Sequence, residues 1–257
     1  MSTVLDVAFC LLLVGVAVTT LTVAAPDERQ SVTIDSDPTA QSIATVTATV
    51  PAADGQQAHG TLANHLARAT IINATTDGEK IARSTYPDAV SREIENHTGV
   101  RSHITARWEP YPDAPIESQV SVGSPPPETA DVATTTLTVD SGIASSDVSE
   151  SFDSIAESIA EAYVTRLFPP ERTRVRLVDA RTATPTAERY EEAAETFEAD
   201  LSEEISDASA RGANERLTAA LAEELESDLR DRYETADEAA DETGADKVVI
   251  VVRRWEP

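Results

Sequence analysis

Apolar and polar positions alternate along two similar tracts, Ile43-Ala-Thr-Val-Thr-Ala-Thr-Val50 and Val132-Ala-Thr-Thr-Thr-Leu-Thr-Val139. Period-two patterning of this kind predicts strands with one face on a core and one in water. Between and after them the period changes. Leu62, Leu66 and Ala69 predict a helix over 61–73, and Phe152, Ile155, Ile159 and Tyr163 predict one over 149–167. Pro87 opens a short helix carrying Val90 and Ile94, and Pro185 opens a much longer helical stretch, each proline suiting a first turn.

Both halves then run into a strand that ends in the same tetrapeptide. Val100, Ser102, Ile104, Ala106 and Trp108 share one predicted face, with Arg107 opposite, and the strand closes with Arg107-Trp108-Glu109-Pro110. The chain ends on Val248-Val-Ile-Val-Val252 followed by Arg254-Trp255-Glu256-Pro257. Five apolar residues in a row predict a central strand buried on both faces. Pro110 and Pro257 lack a ladder donor and fix the strand ends. The shared tetrapeptide holds both tryptophans of the chain, so it predicts two equivalent strand termini, with Trp closing the core and Arg beside Glu at the rim.

This gives an α+β fold with two tandem β-α-α-β type repeats. Residues 41–112 form the first repeat, 113–129 a Pro-rich linker and 130–257 the second repeat. The second is lengthened by a helical extension over 186–243. There Tyr190, Phe197, Leu201 and Ile205, then Leu217, Leu221, Leu225, Leu229 and Tyr233, recur at helical spacing, with Gly212 as the expected break. That apolar stripe packs within the fold or forms a face for a partner. Arg174-Val-Arg-Leu-Val178 reads as a further strand, and Lys80-Ile-Ala-Arg83 as its faint counterpart.

Residues 7–25 carry no charge, and as a helix they would extend about 28 Å, close to the ~30 Å hydrocarbon core of a bilayer. The alternative is a signal peptide cut before Pro26. The absence of Lys or Arg ahead of the apolar run, and a proline after the cut, favour an uncleaved anchor over 1–25 followed by an acidic tether over 26–40. Arg29 beyond the span favours a cytoplasmic body. The sequons at Asn73 and Asn96 and the long acidic body favour an outward one, which is the orientation expected here. The expected location is therefore the cell membrane, single-pass, with the body outside.

Charge narrows the partners. Asp plus Glu number 46 against 20 Lys plus Arg, a net charge of -26, and only Lys80 and Lys247 are lysines. Such a chain repels phosphate backbones, so no nucleic-acid partner is expected. Acids spread through periodic segments suit a folded surface screened by molar salt, where the Debye length is about 3 Å. The composition resembles that of proteins from extremely halophilic archaea. The lone Cys10 excludes an internal disulfide.

Candidate chemistry is sparse. Phosphate loops, nucleophile elbows and cysteine-pair metal spacings are missing from the sequence, and paired carboxylates carry no signal in so acidic a chain. Of the four histidines, His59, His65, His97 and His103, the last two approach across a turn without a third ligand at a metal-binding spacing. No catalytic residue, cofactor or metal is expected, and the chain is not expected to be an enzyme.

Asp6 has two readings. Counted from Ser2 it is the fifth residue of an apolar helix, which resembles the acidic fifth residue of mature type IV pilins and implies an assembly contact with a neighbouring subunit; no basic prepilin leader precedes it. Otherwise it is an acid favourably placed in a first helical turn. As a whole the chain resembles uncharacterised haloarchaeal single-span, membrane-anchored secreted-domain proteins associated with pilus and tight-adherence-type secretion systems. That resemblance implies an accessory or minor subunit that contacts other membrane or surface proteins, with the bilayer holding its N-terminal helix. The alternative is a cell-surface binding module for a small ligand or envelope polymer.

Overall fold

The computed structural model describes residues 37–52, 56–143 and 151–256. Their order begins with α1 (Pro38–Thr45), β1 (Thr47–Pro51), β2 (Gln57–Thr61), α2 (Leu62–Ile72), β3 (Thr75–Thr76), β4 (Glu79–Lys80) and α3 (Tyr86–His97). There follow β5 (Ser102–Trp108), β6 (Ile116–Val122), β7 (Val132–Asp140), α4 (Phe152–Leu167), α5 (Pro170–Val178) and α6 (Ala183–Thr196). The chain closes with α7 (Ser202–Ser206), α8 (Ala210–Arg232), α9 (Ala236–Glu242) and β8 (Lys247–Trp255). The class is α+β, as the periodicities require.

One antiparallel sheet of six strands, in the order β4-β3-β6-β5-β8-β7, organises the fold, and β1 and β2 form a separate hairpin. Strands from both halves of the chain interleave: β5 lies between β6 and β8, and β8 lies between β5 and β7. The tandem order expected from the sequence is not reproduced in the pairing, because β7 joins this sheet while its counterpart β1 pairs with β2.

The inner face of the sheet holds Ile104, Ala106, Trp108, Val120, Val122, Leu137, Val248, Ile250 and Val252, all buried. Against it pack α2, through Leu62, Leu66 and Ala69, and then α4. Trp108 stacks on Tyr163 of α4 at 5.6 Å between ring centroids and 10° between planes, and its Nε1–H donates to the Ala245 carbonyl at 2.8 Å. The buried Ser118 hydroxyl donates to the Thr70 carbonyl at 2.6 Å, tying β6 to the end of α2. Leu217, Leu221, Leu225 and Leu229 recur every four residues on α8, are fully buried, and dock that helix on α4. The apolar stripe of the extension is therefore core.

The helix boundaries follow local chemistry. Thr61 caps α2 by accepting from the Asn64 N–H, Ser151 and Ser154 form a capping box at α4, and Ser209 and Thr235 cap α8 and α9. Pro87 stands in the first turn of α3, as expected. The extension is interrupted at 197–201, 207–209 and 233–235, and the interruption nearest Gly212 lies one turn before it. Gly212 lies inside α8, where a Cβ would meet Oγ of the capping Ser209 at 2.9 Å and Glu204 Cγ at 3.1 Å, so the cap that accepts from the Gly212 N–H leaves little room for a side chain.

Several expectations are corrected. Residues 43–45 are helical, because Asp37 caps α1 by accepting from the Thr39 and Ala40 N–H groups and Pro38 opens its first turn; only 47–51 are extended. The end of the expected tether, 37–40, is thus built into the fold, with Asp37 only 6% exposed. Residues 174–178 lie in helix α5, whose Thr173 and Leu177 are buried four residues apart, a helical spacing that the alternation also fits. The expected linker contains β6, where Ile116, Ser118, Val120 and Val122 face inward. Val100 is 95% exposed and precedes its strand. β8 is central in the sheet but buried on one face only, with Val249 42% exposed.

Candidate functional site

The face of the sheet opposite the helices stays open to solvent. Alternation along β8 turns Val248, Ile250, Val252 and Arg254 inward and Lys247, Val249, Val251, Arg253 and Trp255 outward. Cross-strand register then sets the outward neighbours. Arg107 faces Val249, Thr105 faces Val251 and His103 faces Arg253. On the other side of β8, Thr138, Thr136, Thr134 and Val132 stand beside Val249, Val251, Arg253 and Trp255. Gln119 and Ser121 of β6 extend the same rows.

The result is a surface of threonine and serine hydroxyls with a central valine pair, an aromatic residue at one end and several cations. Next to it, Tyr111, Pro112, Glu242 and Gly244 form a rim, enclosing with these strands a depression of about 530 Å³. The Gly244 N–H donates to the Pro110 carbonyl at 2.8 Å, which holds that rim in place.

The cations are not equivalent. Arg107 is bound by Glu109 at 2.9 Å and Glu117 at 3.5 Å, and Lys247 lies 3.9 Å from Asp246. Arg253 has no carboxylate within ion-pair distance among the described residues, and its neighbour is His103. Burial lowers the His103 pKa, and the Arg253 charge lowers it further. The Nδ1 atom of His103 is buried without a hydrogen-bond partner among the described residues. Arg253 therefore makes an electropositive corner beside the His103 and Trp255 rings, on a chain that is otherwise strongly acidic.

The residues singled out by the sequence are divided by the fold. Arg107 and Glu109 pair at 2.9 Å, and Trp108 is buried in the core. The second tetrapeptide behaves differently. Arg254 points inward and reaches Asp37 at 3.4 Å, Trp255 is outward and half-buried, and Glu256 is exposed. The expected equivalence of the two termini is thus corrected: one residue of register separates their faces. Asp6, the span 7–25 and Pro257 lie outside the described residues.

Asn96 is exposed in the last turn of α3, whereas Asn73 is half-buried and its amide donates to the Gln119 carbonyl at 3.2 Å. His59 bonds Thr49, and His65 is buried between Tyr86 OH at 2.7 Å and the Ala48 carbonyl at 3.1 Å. His97 bonds back to the Glu93 carbonyl. Among the described residues no group of three His, Cys, Asp or Glu side chains could hold a metal, and no helix is long and apolar enough to cross a membrane.

A family model described as "Family of unknown function (DUF7284)" matches residues 5–255. The chain belongs to that family. No curated protein and no solved structure matches it. The outward residues of β8 in this DUF7284 member were hidden in the sequence, because an unbroken apolar run does not say that one of its faces is wet. The signal was in its neighbour: Thr134, Thr136 and Thr138 alternate with Thr135 and Leu137, and a threonine row on one strand marks the open side of the next.

Proposed function

We propose that this protein is a membrane-anchored, extracytoplasmic protein of a halophilic archaeon that acts by protein–protein contact, as an accessory or minor subunit of a pilus-like or secretion complex. Its contact surface is the outward face of the sheet, and its occupant is an acidic protein surface. The observation that carries this reading is the corner where Trp255 and Arg253 stand beside Val251 and His103. Tryptophan and arginine are the residue types that dominate binding energy at protein interfaces, around a core depleted of charge and ringed by polar groups. Val249 and Val251 supply that core, and the threonine rows supply the ring. On a chain of net charge -26, a cationic corner selects an acidic partner. The sparse catalytic chemistry of the sequence supports a binding role over an enzymatic one.

Site-specific photo-cross-linking in native membranes tests this. A photoreactive residue at Thr136, on the outward face, is expected to give an adduct with an acidic protein, and one at Glu223, on α8, is expected to give none. Loss of the Thr136 adduct on Arg253→Glu ties it to this corner. An adduct with a second copy of the same chain, or one indifferent to Arg253→Glu, contradicts the reading.

A further inference from the structure

The six-stranded sheet has β4 at one edge and β7 at the other, and the two edges differ. β4 is two residues long, too short to template a further strand, whereas β7 runs for nine residues, Val132–Asp140. Its register with β8 is continuous from Val132 opposite Trp255 to Asp140 opposite Lys247, so no bulge twists the edge away. Residues 132–139 carry no charge and no proline, on a chain with 46 Asp and Glu. Folded proteins guard an exposed edge by keeping it short, bulging it, or placing proline or charge on it, and β7 has none of these guards over that span.

The phase of the ladder decides which backbone groups face the open side. The Ser141 N–H donates to the Asp246 carbonyl at 2.9 Å, which continues the β7–β8 pairing by one step. Hydrogen-bonding direction alternates along an antiparallel strand, so the odd-numbered residues bond to β8, and Val132, Thr134, Thr136, Thr138 and Asp140 turn N–H and C=O to the edge. No hydrogen bond from another described element reaches those groups, and the side chains of Thr134, Thr136 and Thr138 are exposed beside them.

The two rows of β7 state what a neighbouring strand must carry. On the helix side Ala133, Thr135, Leu137 and Val139 continue the core row, with Ala133 exposed and Val139 half-buried, so apolar surface is left for a next strand to cover. On the other side the threonine row lies between the edge and Arg253, whose neighbour across the ladder is Thr134. An extended, proline-free segment with aliphatic or β-branched residues on one row and acids on the other suits both. A second copy suits them less, because pairing β7 with itself brings together two bodies of net charge -26 each.

We infer that β7 is a strand-addition site, at which the acidic partner supplies an extended segment that pairs with the N–H and C=O groups of Thr134, Thr136 and Thr138 and lengthens the sheet by one strand. The identity of the partner rests on the docking proposed for the outward face. The pairing itself depends on backbone groups and not on charge, so the two can fail separately.

Photo-cross-linking of the full chain in native membranes, with the photoreactive residue at Thr138, tests the inference. Thr136→Pro deletes an edge N–H without deleting a bond to β8, which edge strands tolerate, and Thr136→Val keeps that N–H. The adduct is expected to fall at least tenfold with Thr136→Pro and to stay within about twofold of the parent with Thr136→Val. Deuterium exchange over residues 132–140 of the unsubstituted chain needs no variant: it is expected to be at least tenfold slower in the membranes than in the purified chain at the same molar salt. Loss of the adduct with Arg253→Glu but not with Thr136→Pro keeps the face docking and overturns strand addition. Loss with Thr136→Pro but not with Arg253→Glu keeps strand addition and overturns the acidic-partner reading. An adduct with a second copy of the chain, no adduct from the parent, equal loss with Thr136→Val, or equal exchange in the two states would overturn the inference.

Discussion

Trp108 and Trp255 occupy the same tetrapeptide on antiparallel strands of one sheet, and they lie on opposite faces of it. Trp108 is 1% exposed and stacks on Tyr163, while Trp255 stands beside Val132 at the end of the outward face. The strands run in opposite directions, so the two ends of the motif are also at opposite ends of the β5–β8 ladder, with Arg254 across from Ser102. Identical residues have thus been used once for the core and once for the surface.

Truncating the two tryptophans should therefore have unequal effects. Trp108→Ala removes a buried ring and a hydrogen bond to Ala245, and is expected to cost about 3–5 kcal/mol. Trp255→Ala should cost less than about 1 kcal/mol, as surface substitutions do. Denaturant titration in the salt that supports the fold compares them, and equal losses would contradict the opposite-face assignment.

Asp37 closes a junction between three elements. Its carboxylate caps α1, accepts from Thr135 Oγ1 at 3.3 Å and meets Arg254 at 3.4 Å. Asp37→Ala is expected to cost about 2–3 kcal/mol, from the lost cap and the Thr135 hydroxyl left buried without its acceptor. Asp37→Asn keeps a capping oxygen and should cost less than about 1 kcal/mol, since Arg254 is partly exposed. Thermal unfolding of the two variants gives the comparison.

The pH dependence has a defined sign at His103. Its folded pKa is depressed, first by burial and then by Arg253, below the ordinary value of about 6.5. The unfolded chain therefore binds more protons than the folded one in the window just below pH 6.5 or so, and stability rises with pH there. The contribution is complete above the unfolded value and is lost as pH falls through the folded one. His103→Gln should flatten that part of the stability profile; a profile with the same slope would assign it to other groups.

Glycan placement distinguishes the two sequons. Asn96 is exposed on α3, but the Asn73 amide is committed to the Gln119 carbonyl in the folded chain. Glycopeptide mass spectrometry of protein from its own cells should find sugar on Asn96 and none on Asn73. Full occupancy at Asn73 would mean that this hydrogen bond is dispensable.

Much of the helical architecture was legible because apolar spacing and caps agree: α2, α3, α4 and α8 lie close to where Leu62, Pro87, Phe152 and Leu217 place them. Where the sequence misled, a local signal was outweighed by another. Asp37 and Pro38 turn the start of an alternating tract into α1. Ser118, polar yet inward and bonded to Thr70, interrupts the apolar pattern that would have exposed β6 inside a Pro-rich stretch. Short β3 and β4 carry no period at all. The outward face was illegible for a different reason: β8 is apolar on both sides, and only its pairing with β7 and β5 shows that one of those sides meets water. The shared tetrapeptide says nothing of facing, because a one-residue change of register inverts every side chain.

The central claim is that the outward face docks an acidic partner, and the most direct measurement is affinity isolation of the tagged chain from native membranes in molar salt, with quantitative recovery of co-purifying proteins. Val251→Glu and Arg253→Glu together place acids at the apolar centre and the cationic corner. The account predicts that the acidic partner cross-linked at Thr136 is recovered at least tenfold less with this double variant, while its unfolding midpoint stays within a few degrees of the parent. Recovery of that partner in equal amount by both chains would contradict it.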